Sequence, residues 1–392
     1  MRHFSHLPPA QRECLFSHLP VDVTADSPRM EVAQVLGATL YVPANRPDLA
    51  MTVTKQAARG TSSIVVCLED AVPDSELDQA RRNTVLMLHE LRADTKRHYA
   101  PLLFLRVRSL EDAAFLLKAD LGQVLSGVAI PKFDPNNGKV WLDLISAFRA
   151  DRDRPLYAMP ILESPHLIDP HGRGAWIHDV HRLIDEYPGL TLALRIGTTD
   201  IAGAGGLRRS RDLTIYSMAV VRDVIASIIA EFILAKDAVP VMTAGVWEHY
   251  PQSARWGRPQ LRQTLFAERG REHLREELVA MGLDKLAEEI QLDLANGLRG
   301  KTVIHPSHVA LVNSLHTVEH EAFTDAEVIL SCDGAHASKS GNKMNESKPH
   351  RVWASEVLVR ARAFGVLAPH VSWVDVLGAD MDASRGSKVT AR

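Results

Sequence analysis

Two short apolar runs near the middle of the chain each lead to a carboxylate. Leu156 to Leu162 runs into Glu163, and Leu192 to Ile196 leads through Gly197, Thr198 and Thr199 to Asp200. Both runs read as buried strands bounded by turn residues. In a parallel barrel, the residues just past the carboxyl ends of the strands line the mouth where ligands bind. Glu163 and Asp200 would then face one another across that mouth. Two convergent carboxylates suit a hard divalent cation such as Mg²⁺, which takes oxygen ligands and keeps waters open for exchange. Capping the next helix is the simpler role for either residue alone. Their matched positions on successive strands favour the metal for the pair.

Other predicted strand ends add charge to the same mouth. Arg46 follows the first strand, and Glu69 and Asp70 the second. Arg106 and Arg108 end the third, Lys132 the fourth and His305 the eighth. Such a ring suits a small, oxygen-rich acid, because arginine grips a carboxylate at two points. Ion pairing that closes the barrel top is the competing role for Arg46, Glu69, Asp70 and Arg106. Lys132 could form a Schiff base, and His305 could act as a general base. The proline beside each favours hydrogen bonding to nearby carbonyls instead. Arg208 lies in a Gly/Arg loop, residues 203–211, of a kind that either cradles a phosphate or is solvated surface.

Eight strands are predicted to position these groups, at 38–43, 63–68, 102–107, 127–132, 156–162, 192–196, 239–242 and 301–306. Helical segments alternate with them, so the fold class is α/β and the architecture a TIM (β/α)8 barrel. No Gly-rich fingerprint follows the first strand, as a doubly wound sheet would want. Residues 1–35 read as an N-terminal extension and 36–316 as the barrel domain. An insertion at about 244–296 carries Trp247, Tyr250 and Trp256. Residues 317–392 read as a C-terminal helical segment. It has a helix to Ser331, a small polar hinge at 332–341, a last helix at 353–364 and a polar, disordered tail from Ser384.

The chain has 392 residues and a formal net charge of −3, which gives no electrostatic case for nucleic acid or an anionic membrane. Ile215 to Val239 is the most apolar long stretch, but Arg222, Asp223, Glu231 and Lys236 interrupt it. It reads as a buried helix and a strand, not a membrane span. Cys14, Cys67 and Cys332 are far apart and odd in number, which fits a reducing compartment. No apolar signal core opens the sequence, so a cytoplasmic protein is expected.

Together the runs Tyr41 to Pro47, Leu68 to Val72, Arg106-Val107, Pro131-Lys132, Ile161 to Ser164, Gly197 to Asp200 and Gly300 to Pro306 resemble a known series. Their order and spacing are similar to the motifs of the HpcH/HpaI aldolase and citrate lyase β-subunit (CitE-like) superfamily. The segment 342–350 resembles a divergent branch associated with tellurium-resistance and stress gene clusters. The resemblance implies a TIM barrel and Mg²⁺ (or Mn²⁺). It implies carbon–carbon bond cleavage or formation, through an enolate, on a small acidic substrate of the 2-oxo or 3-hydroxy acid type. CoA thioesters are among the family's substrates. By motif, Glu163 and Asp200 match the metal ligands and Arg106 the arginine on the substrate or enolate oxygen. Glu69 and Asp70 match acidic residues near the site, and Arg46 the arginine after the first strand. Arg46, Arg108, Lys132 and Arg208 complete the expected substrate-binding set.

Cys67 replaces a usual Asp, and Arg108 a usual Asn. These departures, the altered loop after Asp200 and the insertion weigh against CoA and citrate-type substrates. A metal-dependent thioester or phosphate hydrolase is the alternative activity, and a non-catalytic ligand-binding barrel the alternative from another class. The resemblance also implies a homo-oligomer, trimer or hexamer. Its C-terminal segment would close either its own or a neighbour's site, with Glu346 as a catalytic acid or base.

Overall fold

In a computed structural model, which describes residues 1–93, 100–249, 264–338 and 344–389, eight parallel strands surround one axis. They are β1 (Ala38–Pro43), β2 (Ser63–Cys67), β3 (Leu102–Arg106), β4 (Gly127–Ile130), β5 (Tyr157–Leu162), β6 (Leu194–Ile196), β7 (Met242–Thr243) and β8 (Lys301–Val303). Each pairs with its sequence neighbour, and β8 pairs back onto β1. A single parallel bridge, Ala244 to Lys301, joins β7 to β8 and closes the ring. The fold is the expected TIM barrel. The first six strands begin within two residues of their predicted starts; β7 is shorter and later.

Burial on both faces explains why these strands read as continuous apolar runs. Leu40, Val42, Ile64, Val66, Leu103 and Leu105 turn outward into the helix layer. Val65, Leu102, Phe104, Ala129, Tyr157 and Met159 turn inward and fill the barrel. The period of two along each strand enforces the split. A fully buried Leu or Phe contributes roughly 1.5–3 kcal/mol, so both faces are held by many such residues.

The inner cluster continues downward into Val32, Leu36, Ala363 and Phe364. Helix Arg29–Gln34 lies there. Arg29 Nη1 donates to the carbonyls of Thr191 at 2.7 Å and Ala238 at 3.2 Å, just ahead of β6 and β7. The amino ends of the strands are thus covered, and the opening lies at their carboxyl ends.

A short strand, Phe16–His18, pairs antiparallel with Val366–Leu367, so the N-terminal extension is tied to the C-terminal segment. The segment's long helix, Ser347–Phe364, packs on helix His320–Ser331 and ends at the barrel floor. The described part of the expected disordered tail is not a coil: the backbone is helical over Trp373–Val389. Helices Leu265–Glu268, Glu272–Met281 and Asp284–Ala295 build the insertion. Trp247 is fully buried in it, while Tyr250 and Trp256 lie outside the described residues. No helix among the described residues is long and apolar enough to cross a membrane.

Lys301 of β8 faces outward and is fully buried against the last insertion helix. Its Nζ donates to Glu289 Oε1 at 2.9 Å and Asp293 Oδ2 at 2.8 Å. Glu289 also pairs with Arg209. A buried pair is tolerated because each charge is satisfied; removing one partner strands the other in low dielectric. Lys301→Met should therefore cost roughly 3–5 kcal/mol of stability. Urea unfolding reads this directly, and an unchanged midpoint would refute the role.

Candidate active site

A cavity of about 360 Å³ opens at the carboxyl ends of the strands. Asp70, Arg106, Glu163, Arg195, Asp200 and Glu248 give it its charge. Arg106 ends β3 and points inward, opposite Cys67 in register. Its guanidinium reaches three carboxylates. Nη1 meets Glu69 Oε2 at 2.8 Å, and Nη2 meets Asp70 Oδ2 at 3.1 Å and Glu163 Oε1 at 3.3 Å. Burial works against its charge, but Tyr41, Cys67, Glu163 and Glu69 outweigh it and raise its pKa.

Lys132 completes this rim. Its Nζ lies 2.8 Å from Glu69 Oε1, and its backbone N–H donates to Glu163 Oε1 at 2.9 Å. That second bond needs the left-handed backbone at Lys132, φ +49°, a conformation unusual for a residue with a side chain. The hydrogen bond to Glu69 is the main cause that raises the Lys132 pKa. Lys132 therefore carries a charge and does not offer the neutral amine that a Schiff base needs.

Glu163 follows β5 directly. Ser164 caps the turn that comes next, its Oγ accepting from the N–H of His166. This leaves the Glu163 side chain inside the mouth. Asp200 sits in the first turn of helix Thr198–Ala204, after β6. Burial raises the Glu163 pKa to about 7, with Arg106 lowering it and Asp200 raising it further. The two carboxylates are thus close enough to repel. Gly197 lies between them in sequence and against Glu163 in space. A Cβ there would come within 2.4 Å of Glu163 Cβ and Oε2. Mutually repelling, partly desolvated carboxylate oxygens in a cradle cleared by glycine are a donor set that fits a hard divalent cation.

Other expected residues stand elsewhere. Arg46 is exposed and forms a two-point pair with Asp48, at 3.1 and 3.0 Å, so it does not line the cavity. Arg108 donates to the carbonyls of Leu68 and Val72 and pairs with Asp74. It lines a groove beside the mouth with Lys132 and Asn137. Arg208 is exposed; its neighbour Arg209 turns inward instead, onto Glu289, Glu248 and the Trp247 ring. His305 bonds Ser307 at 2.7 Å and lines a different cavity. Glu346 ends a hairpin and lines a surface groove with Asp333 and Lys348. No described residue between 332 and 350 lines this chain's mouth. Residues 339–343 of that hinge and lid lie outside the described residues.

Two charged residues of the mouth escaped the sequence reading. Glu248 is held by Arg209 Nε at 2.7 Å and accepts from Thr199 Oγ1 at 3.1 Å. It lies within the insertion, where no strand end flags it. Arg195 is fully buried inside the barrel. The available signal was a charge in the middle of an otherwise apolar strand.

A family model described as a C–C bond lyase of the TIM-barrel fold matches residues 30–366. The chain belongs to this family. No curated protein sequence matches the chain. Among solved structures, this C–C bond lyase resembles a citrate lyase from Burkholderia xenovorans, with a TM-score of 0.59 at 15% identity over 87% of this chain and 96% of that one. It also resembles CitE from Mycobacterium tuberculosis in complex with magnesium, acetoacetate and coenzyme A. There the TM-score is 0.51 at 20% identity, over 84% of this chain and 99% of that one. At such identities the likeness is one of fold.

Proposed function

We propose that the protein is a Mg²⁺-dependent lyase that breaks or forms a carbon–carbon bond in a small 2-oxo or 3-hydroxy acid, through an enolate. The observation that carries this reading is the convergence of Glu163, Asp200 and Arg106 on one mouth. Membership of a C–C bond lyase family supports it, and so does the magnesium and acid bound by the CitE of similar fold. Mn²⁺ suits the same oxygen donors, and CoA esters stay within the substrate range. Mg²⁺ held by Glu163 and Asp200 would supply positive charge to the oxygen that becomes negative as the bond breaks.

The chain's own residues do the rest. Arg106 donates to that oxygen from a guanidinium locked by Glu69, Asp70 and Glu163. Lys132 holds Glu69 and so fixes Arg106 at one remove. Hydrogen bonds and ion pairs offset the burial of Asp70 and depress its pKa; it stays a carboxylate at the opening, able to accept a proton. On cleavage, a base at the mouth such as Asp70 takes the proton of the substrate hydroxyl, and that carbon becomes the carbonyl of one product. The electron pair of the broken C–C bond passes to the enolate of the other, and a proton from an acid at the mouth then quenches the enolate.

A panel of hydroxy and oxo acids tests the reading. Pyruvate, oxaloacetate or glyoxylate should be released with Mg²⁺ and not with chelator. Release of thiol or phosphate alone would make the protein a hydrolase. Metal binding without turnover of any acid would make it a binding barrel.

We further propose a cytoplasmic homo-oligomer in which residues 342–350 cover a neighbour's mouth, with Glu346 as acid or base. An enolate open to water is quickly protonated, and none of the described residues between 332 and 350 lines this chain's own mouth. Mixed oligomers of inactive Glu163→Gln and Glu346→Gln subunits should regain part of the activity. No recovery in proven hybrids would exclude a shared site.

A further inference from the structure

Arg195 is the only charged residue of β6. Leu194 and Ile196 turn outward into the helix layer, so strand alternation turns Arg195 into the barrel. It is 1% exposed. The cost of burying a guanidinium is several kcal/mol unless an anion and hydrogen bonds satisfy it. Arg106 has three carboxylates for this purpose. Arg195 has none among the described residues. One nitrogen, Nη2, donates to Thr302 Oγ1, and the cation lies 5.6 Å from the centre of the Tyr41 ring. Nε and Nη1 have no hydrogen-bond partner. Both Arg195 and Thr198 line the cavity, and Thr198 Oγ1 is likewise buried without a partner.

Depth separates Arg195 from the rim. Arg195 pairs in register with Ile161, two residues below Glu163. At about 3.3 Å per residue, it lies on the order of 7 Å beneath the metal carboxylates along the strand. Guanidinium stays charged at any physiological pH, so the floor of the cavity holds a fixed cation for which no described residue supplies an anion.

We propose that Arg195 is a floor subsite for a second carboxylate, and that the site selects short 2-oxo diacids over monoacids. This rests on the lyase reading above for the orientation of the ligand. The oxo acid end meets Glu163, Asp200 and Arg106 at the rim, and the far carboxylate descends onto Arg195. The rim groups act on the reacting end. Arg195 touches only the end that does not react, and so sets specificity.

Calorimetric titration with Mg²⁺ present separates the possibilities, using oxaloacetate or 2-oxoglutarate against pyruvate. The wild-type protein should bind the better diacid at least about tenfold more tightly than pyruvate, a modest return for a two-point charged contact. Arg195→Met removes the cation and keeps the volume. It should lose the diacid preference while leaving pyruvate and Mg²⁺ affinity unchanged. It should also melt higher than wild type without ligand, because an unpaired buried charge is gone. A retained diacid preference in Arg195→Met, or none in wild type, would overturn the subsite. Displacement of the diacid by equimolar inorganic phosphate would overturn its assignment to carboxylate. These are binding measurements, so a failure of the lyase reading, seen as absent turnover, stays distinct from a failure of the subsite.

Discussion

Glu163→Gln and Asp200→Asn should each weaken Mg²⁺ binding more than about 100-fold, since loss of a mere outer partner of a metal ligand already costs about 10–100-fold. The reason lies in the donor set. An amide oxygen is neutral, and the pair of charges that attracts the cation is halved. Folding should be largely spared. Arg106 keeps Glu69 and Asp70 as partners when Glu163 is neutralised, and Asp200 is only half buried at a helix start. Calorimetric titration of each variant reads the affinity, and urea unfolding checks the fold. Unchanged affinity in both variants would remove the metal assignment and the lyase reading with it.

Arg106→Lys should lower kcat about 10²–10³-fold, the scale for removing one donor from developing negative charge. Lysine keeps the charge but loses the planar fork that reaches Glu69, Asp70 and Glu163 at once. In the proposed role Arg106 acts on charge that grows during the reaction, so KM should change little and kcat/KM should fall with kcat. Arg106→Met is a poorer probe, since it leaves three carboxylates facing one another. A lysine variant with full turnover would refute the role. A loss confined to KM would make Arg106 a binding residue only.

Much of the barrel was legible because its strands are buried on both faces and bounded by turns. In β2 the consecutive β-branched residues Ile64, Val65 and Val66 favour a strand over a helix. β7 was harder: only Met242 and Thr243 are paired as a strand. Strand-end logic brought Glu69, Asp70, Arg106, Glu163 and Asp200 to one place. It failed for Arg46, which a nearer carboxylate, Asp48, captures. It failed in another way for Arg208, where the inward-facing arginine is the next residue. Glu248 was hidden because a buried ion-pair chain, from Lys301 through Glu289 and Arg209, delivers it from sequence-distant elements. Arg195 was hidden by its company: flanking apolar residues mark a strand, and the inward direction of one side chain emerges only once the barrel closes.

Among the described residues, the covered floor of the barrel turns the cavity into a cup that opens at the carboxyl ends of the strands. Phe364 and Leu36 seal the lower end, so whatever enters must leave by the way it came. On the proposed lyase reading, a molecule cleaved in the cup has an outer piece and an inner piece. The outer piece departs first because it stands in the doorway, and the inner piece follows. In the joining direction the queue reverses. On that reading, traffic through the cup is sequential by architecture, before any difference in affinity between the two pieces is considered.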